Sequence, residues 1–362
     1  MKVLHVEAGK HLYGGALQVV FLLRGLGAEG VDNVLAAPLG SAVAQAAAPH
    51  ARVVQIAMGG DADLGMLGRL RRLIRAERPD VVHLHSRRGS DLWGGLAARL
   101  EGVPVVLSRR VDNPEPRAWV ALKYRLYDRV VTISEGIFRV LEAEGVPRAK
   151  LRCVPSSVDV EQYRPGRSER AWLEAEFGIA PDERVVGMAA QFIARKGHRT
   201  LLSALPAVLA AHPRTRFLLF GQGPLREAIE NEARAAGFGD RVLFPGFRQD
   251  LPRVLPNLDL MVHPAEMEGL GVALLQAAAC GLPIVAGRAG GIPEIVLPGV
   301  NGELIEPGDV AALSRHLNAL LADDALRERY GAAGREHVVA RFSVAAMVRG
   351  NLGVYRELAP SR

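Results

Sequence analysis

Leu258-Asp259-Leu260-Met261-Val262 runs through His263-Pro264-Ala265 into Glu266-Met267-Glu268-Gly269-Leu270-Gly271, and then into Val272-Ala273-Leu274-Leu275-Gln276. This stretch decides how the chain is read. Its first five residues read as a strand of a buried parallel sheet. Gly269 and Gly271 begin a helix whose apolar face includes Val272, Leu275 and Ala279. The first N–H groups of a helix lack partners within it, so this turn can cradle an anion. Glu268, just before the turn, cannot share the anion's position. It is suited to accept hydroxyl hydrogens from a sugar, or it caps the helix.

Strand, turn and helix recur in both directions. Downstream, Ile284–Ala286 leads to Gly290-Gly291-Ile292-Pro293-Glu294, and Gly302–Ile305 follows a hairpin-like turn at Gly299-Val300-Asn301-Gly302. Upstream, Arg184–Ala189 leads to Arg195-Lys196-Gly197-His198, and Arg216–Phe220 ends in Gly221-Gln222-Gly223-Pro224. Ahead of a break at Tyr163-Arg164-Pro165-Gly166-Arg167, seven runs read as strands: Val3–Glu7, Val34–Ala37, Val53–Ile56, Val81–His85, Val103–Leu107, Arg129–Ile133 and Leu151–Val154. Helical patterns separate them. The expected fold is α/β, with two similar halves of parallel sheet covered by helices. In such sheets ligands bind beyond the carboxyl ends of strands, so a cleft between the halves is the default site.

At 362 residues the chain can bury two sizeable cores. Hydrophobic residues at 49% and charged residues at 23% exclude a disordered chain. No apolar run reaches the ~18 residues of a membrane span. Met1–Val6 is too short an apolar run for a secretory leader, so a cytoplasmic location is expected. Cys153 and Cys280 form no CxxC pair, and neither a disulfide framework nor a zinc site is expected. Residues 1–170 carry 25 Lys+Arg against 18 Asp+Glu, a net +7, and the remainder carries 20 against 21. An anionic partner of the first half is implied. Aromatic residues are only 5%, with no stacking platform for nucleic acid.

Taken singly, the remaining motifs are modest. Arg195 and Lys196 can meet a phosphate with charge at a helix start, or form an exposed loop. Gly221 and Gly223 allow close backbone approach to a ligand, or a tight turn. Together and in order, these motifs resemble a retaining nucleotide-sugar glycosyltransferase of family 4, with the two-Rossmann-domain fold called GT-B. The resemblance covers nearly the whole chain. It rests on Gly14-Gly15, His83-Leu84-His85, residues 130–134, residues 154–159, Lys196-Gly197-His198, Gly221-Gln222-Gly223, Glu268 to Gln276, residues 280–286, Gly290 to Glu294, and Asn301-Gly302.

The resemblance implies an acceptor-binding domain at 1–165, with a C-terminal helix of about 343–362 packing back on it, and a nucleotide-sugar domain at 166–342. Lys196 would neutralise the donor diphosphate, helped by Arg195. Gly269, Leu270 and Gly271 would offer N–H groups to the distal phosphate. Glu268 would hold the transferred sugar's hydroxyls. Phe247 and Arg248 lie where the family's main chain binds the base, and Gly15 would lie under the diphosphate. Gly221 and Gly223 complete the donor set. The donor is a nucleoside-diphosphate sugar, a UDP-sugar being favoured. No cofactor or metal is expected. The acceptor is a glycan or glycolipid of the kind used in bacterial cell-surface polysaccharide or lipopolysaccharide synthesis.

Three departures from the family pattern stand out. The second glutamate of the motif is Gln276, which has one acceptor oxygen where a carboxylate has two. The usual arginine ahead of the diphosphate lysine is Gln191. The histidine expected after the strand ending at Leu107 is replaced by Ser108-Arg109-Arg110. Arg110 cannot serve as a base, but it can bind an acceptor phosphate. His83, His85, Arg109 and Arg110 form the candidate acceptor set, although histidines on a buried strand are commonly structural.

Arg69, Arg71, Arg72, Arg75 and Arg78 crowd one helix between Leu67, Leu70, Leu73 and Ile74. Arg87, Arg88, Arg109, Arg110, Arg117, Lys123 and Arg125 add to the field. This suggests peripheral association with an anionic membrane surface, against a simple solvated face. Two alternatives share the architecture: a sugar-nucleotide epimerase, and a degenerate transferase kept as a binding or scaffolding subunit. Gln191 and Gln276 favour the latter.

Overall fold

The computed structural model describes residues 1–12, 14–87 and 89–359. Arg88, counted above in the basic field, and the last three positions of the expected C-terminal helix lie outside them.

Two compact units are present. The first comprises Met1–Ser157 and is completed by the helix Val344–Leu358. Its strands are β1 (Lys2–Val6), β2 (Asp32–Pro38), β3 (Arg52–Ile56), β4 (Val81–Leu84), β5 (Val105–Arg109), β6 (Arg129–Thr132) and β7 (Leu151–Cys153). They form one parallel sheet in the order β3-β2-β1-β4-β5-β6-β7. Strands such as β4 are buried along their whole length, which is why they read as apolar runs. The helix Val344–Leu358 packs Met347, Val348, Leu352 and Tyr355 into a core shared with Val3, Leu22, Leu26, Val81 and Val106.

The second unit is Val158–Ser343. Its strands are β8 (Arg184–Ala189), β9 (Thr215–Phe220), β10 (Val242–Gly246), β11 (Leu260–His263), β12 (Ile284–Gly287) and β13 (Gly302–Ile305). They form a parallel sheet in the order β10-β9-β8-β11-β12-β13. The boundary falls at Ser157/Val158, upstream of Tyr163–Arg167. The reason is non-local: Val158 bridges to Ser343, and the Arg167 guanidinium reaches the buried Asp259 at 2.6 Å.

Each sheet reverses its strand order once, between β1 and β4 in the first and between β8 and β11 in the second. Crevices form where successive connections leave to opposite faces, beyond the carboxyl ends of those strands. A cavity of about 300 Å³, lined by Arg167, Arg184, Asp259 and Cys280, lies instead at the amino ends of β8, β11 and β12. Cys153 is partly buried and Cys280 is buried.

Candidate active site

In the second unit, two connections leave the carboxyl ends of the central strands. After β8 the chain makes a short 3₁₀ turn at Ala194–Lys196, and Gly197 admits the helix His198–Ala211. After β11 it passes through Pro264–Gly271 into the helix Val272–Ala279, whose cap is Gly271 in the left-handed region. The Glu266 N–H donates to the Arg195 carbonyl at 2.9 Å and locks the two connections together. The third connection, after β12, is held by Gly290. Its φ is +51°, and a Cβ there would come within 1.6 Å of the Glu268 carbonyl oxygen. Only glycine permits this approach.

These connections bring Lys196 and Glu268 together. Lys196 Nζ donates to Glu268 Oε2 at 2.6 Å. His263, the last residue of β11, meets the same oxygen with Nε2 at 3.1 Å. Glu268 Oε1 accepts the Gly269 N–H at 3.2 Å. Burial alone would raise the Glu268 carboxyl; the His263 hydrogen bond and the charges of His263 and Lys196 overcome it and bring it down to about 2. The carboxylate does not cap the following helix, which begins at Val272. The buried face of that helix is Leu274, Leu275 and Ala277–Ala279, with Val272 only partly covered.

The other expected donor residues surround this pair unevenly. Arg195 is partly buried and Gln191 is exposed. Gly221 and Gly223 face the backbone of Ala190 and Phe192, where a Cβ would come within 2.0 and 2.6 Å of their carbonyl oxygens. The packing of two connections already requires both glycines. Phe247 is half exposed. Arg248 donates to Glu176 at 2.8 Å and to Asp250 at 2.6 Å, so its charge is locally balanced. Gln276 lies partly exposed in the Val272–Ala279 helix, and Leu270 is buried.

In the first unit, β1 places His5 beside His83 of β4, with His85 on the same face. His5 Nδ1 and His85 Nε2 share a hydrogen at 2.9 Å. His5 Nε2 meets Asn33 Oδ1 at 3.2 Å. His83 pairs with the Tyr355 hydroxyl at 2.6 Å and with Ser108 Oγ at 2.9 Å. Burial, the largest cause in each case, pushes all three imidazoles down, His5 to about 4. Their ligating nitrogens lie within 4.8 Å, the geometry of a metal-capable group among the described residues. His5 and His83 spend their ring nitrogens on one another's neighbours, and the charge of Arg110 also disfavours a cation there. The cluster fits a neutral hydrogen-bonded core better than a metal centre.

Arg110 lies beside this cluster and against Gly15, near the amino end of the helix Gly14–Ala28. Its Nη1 reaches Ser156 Oγ at 3.5 Å, and its buried Nε has no hydrogen-bond partner. Arg109, grouped with it above, turns elsewhere. It is 2% exposed and meets Glu115 at 3.4 Å, in a cluster with Lys123 and Tyr124. Its buried Nε, like that of Arg110, has no hydrogen-bond partner, so Arg109 differs from Arg110 chiefly in the counter-charge beside it.

The arginine-rich helix is Gly65–Glu77. Its Met66, Leu70, Leu73 and Ile74 face the core. Arg69 pairs with Asp63, and Arg71 and Arg75 share Glu101 at 2.6 and 2.7 Å. No helix among the described residues is long and apolar enough to cross a membrane.

Sequence reasoning passed over His5 and His263. Each sits on a strand at a sheet's reversal point, which is the signal that could have found them.

A family model described as Glycosyltransferase Family 4 matches residues 13–162, and one described as Glycosyl transferases group 1 matches residues 170–337. The GDP-mannose-dependent alpha-(1-6)-phosphatidylinositol monomannoside mannosyltransferase of Mycolicibacterium smegmatis is 34% identical over 282 residues, 74% of each chain. The D-inositol 3-phosphate glycosyltransferase of Segniliparus rotundus is 33% identical over 315 residues, 79% of this chain and 69% of that one. Among solved structures, Anabaena HepE in complex with UDP and glucose superposes with a TM-score of 0.85 at 21% identity, covering 99% of this chain and 100% of that one.

Proposed function

The chain belongs to glycosyltransferase family 4, and from that premise we propose that it moves a sugar, with retained configuration, from a nucleoside-diphosphate sugar to a glycan or glycolipid bearing an anionic group. It is a glycosyltransferase of the GT-B fold. Family membership sets aside the epimerase, and the Lys196–Glu268 pair speaks against a non-catalytic subunit.

One observation carries the proposal: Lys196 and Glu268 are paired at 2.6 Å beyond the carboxyl ends of β8 and β11, beside the Gly269–Gly271 turn. A lysine and a carboxylate that neutralise each other can be separated by a ligand offering both an anion and hydroxyl groups. A sugar diphosphate is such a ligand. Lys196 and Arg195 turn to the diphosphate, with the N–H groups of Leu270 and Gly271. Gly269 joins them when its N–H leaves Glu268 Oε1. Glu268 accepts the sugar hydroxyls. As the glycosidic bond to phosphate breaks, negative charge grows on the leaving diphosphate, and Lys196 and the turn stabilise it without a metal ion. The acceptor hydroxyl attacks on the same face of the sugar and gives its proton to the departing diphosphate oxygen.

Arg110 is the acceptor group this reading favours. It is a permanently charged guanidinium with an unpartnered Nε, so an acceptor phosphate or carboxylate would supply what it lacks. The two relatives are named for phosphatidylinositol monomannoside and inositol 3-phosphate acceptors, which supports this choice. A UDP-sugar is the donor proposed first, in keeping with the UDP bound to HepE. The mannosyltransferase relative is named for GDP-mannose, so the test spans both bases. Thermal-shift titration with UDP- and GDP-sugars, followed by transfer assays with phosphorylated and neutral acceptors, tests the whole reading. A chain that binds no nucleotide sugar overturns it.

A further inference from the structure

His263 stands outside the donor set, yet it touches that set's central carboxylate. It ends β11, is 2% exposed, and directs Nε2 to the Glu268 oxygen that also receives Lys196. An ionised carboxylate only accepts hydrogen bonds, so Nε2 carries a hydrogen. The His263 Nδ1 is buried with no hydrogen-bond partner. Behind it lies His198, stacked on Phe192 at 4.3 Å, with both ring nitrogens buried and unpartnered. His198 is not hydrogen-bonded to Glu268.

We propose that His263 is a positioning residue that holds Glu268 ionised and in place when Lys196 leaves it for the donor diphosphate. The proposal rests on the donor reading above and adds a step to it. In the free protein, Glu268 is held by Lys196, His263 and the Gly269 N–H. Diphosphate binding takes Lys196 away and draws on the Gly269 N–H as well. His263 is then the one side chain of the three still holding the carboxylate. Without it, a largely covered carboxylate would lose its last side-chain donor as Lys196 departs, and would resist releasing the lysine. His263 therefore makes the exchange of Lys196 from carboxylate to phosphate inexpensive, and it leaves Glu268 aimed at the sugar.

The test is a double-mutant cycle read by calorimetric titration with UDP, and with GDP in parallel. His263→Leu should weaken diphosphate binding roughly tenfold or more, the scale of one hydrogen bond to a charged group. His263→Gln, whose amide N–H replaces Nε2–H, should restore it to within about threefold on the same scale. In a Glu268→Gln background, His263→Leu should have no further effect, since no carboxylate remains to be held. An equal loss in both backgrounds means that His263 acts on packing alone and overturns the proposal. So does unchanged affinity in His263→Leu. If the parent protein binds neither diphosphate, the donor reading fails, and a second measurement still decides the histidine. Long-range proton–nitrogen spectra of the ligand-free protein, assigned by the resonances lost in His263→Leu, should show a proton on Nε2. A proton on Nδ1 alone overturns the proposal whatever the activity.

Discussion

The two sheets carry polar centres at corresponding points, and these are built on opposite electrostatics. At the β1/β4 reversal, His5 hydrogen-bonds to His85 and Asn33, His83 to Ser108 and Tyr355, and burial disfavours the charged form of all three histidines. At the β8/β11 reversal, a lysine and a histidine converge on one carboxylate and hold it ionised. The same topology thus supports two kinds of interior. The first has nothing to give up to an anionic ligand except the Arg110 guanidinium beside it. The second holds a cation and a carboxylate that a ligand can part. The difference supports the proposed placement of the donor in the second unit more than any single motif does.

Substituting the cation should break this comparison most sharply. Lys196→Ala is expected to lower transfer by roughly 10²–10³, the cost of removing one electrostatic contact to a developing charge. It should also lower the melting temperature, because Glu268 is left largely covered with one donor fewer. Adding Glu268→Gln should recover the melting temperature but not transfer. Initial rates and melting curves on the three proteins decide it. Near-parent transfer by a folded Lys196→Ala would remove Lys196 from the diphosphate.

Acid should separate the two units next. His5 has a folded value of about 4 against 6.5 unfolded, and His83 and His85 are lowered as well. Between those values the unfolded chain binds protons that the folded unit refuses. This stability is complete above about pH 6.5 and is lost as the pH falls towards 4. For His5 alone it is on the order of 3 kcal/mol, at ~1.4 kcal/mol per unit. Glu268 behaves with the same sign at lower pH: its contribution is complete above 4.5 and is lost as the pH falls towards about 2. In the second unit, His198, also lowered to about 4, is the comparable histidine. Hydrogen exchange at pH 7 and pH 5, corrected for intrinsic rates, should therefore show β1 and β4 losing protection before β8 and β11. Equal loss would show that the two centres do not differ as their structures imply.

The strand runs were legible because strands buried on both faces of a parallel sheet carry few polar residues. Lys196, Glu268 and the glycine turns were legible because they follow such runs directly. What could not be read was which connections meet. Lys196 and Glu268 touch because β8 pairs with β11, a neighbour distant in sequence. His263 was hidden because the run was read as ending at Val262, whereas the ladder continues through His263 paired with Ala286. Arg109 and Arg110 are adjacent in sequence and alike in type, yet strand alternation sends them to different surroundings, one to Glu115 and the other to Ser156.

A smaller effect sharpens the donor side. Gln276→Glu should tighten diphosphonucleoside binding by about twofold to tenfold, the range of one hydrogen bond, if position 276 faces the ribose. Calorimetry with UDP and GDP measures this. Unchanged affinity would mean that the ribose is held by other groups.

The smallest effect is expected at the arginine-rich helix, Gly65–Glu77, where the first unit's net positive charge looked most like a membrane-binding face. The structure divides that charge. Arg71 and Arg75 share Glu101, Arg69 is paired with Asp63, and the leucines between them face inward. A membrane surface would have to draw Arg69, Arg71 and Arg75 from carboxylates already in contact, and Leu70, Leu73 and Ile74 of the helix are already buried. Replacing Arg71, Arg72 and Arg75 with glutamine should therefore change co-sedimentation with anionic vesicles little, by less than about threefold at ionic strengths on either side of ~0.1 M, where the screening length is about 10 Å. The comparison between the units would shift if the triple variant lost vesicle binding steeply at low salt while keeping its affinity for UDP. The helix would then be the first unit's own anion-binding surface, and the +7 of residues 1–170 would be directed at lipid rather than at the acceptor group beside Arg110.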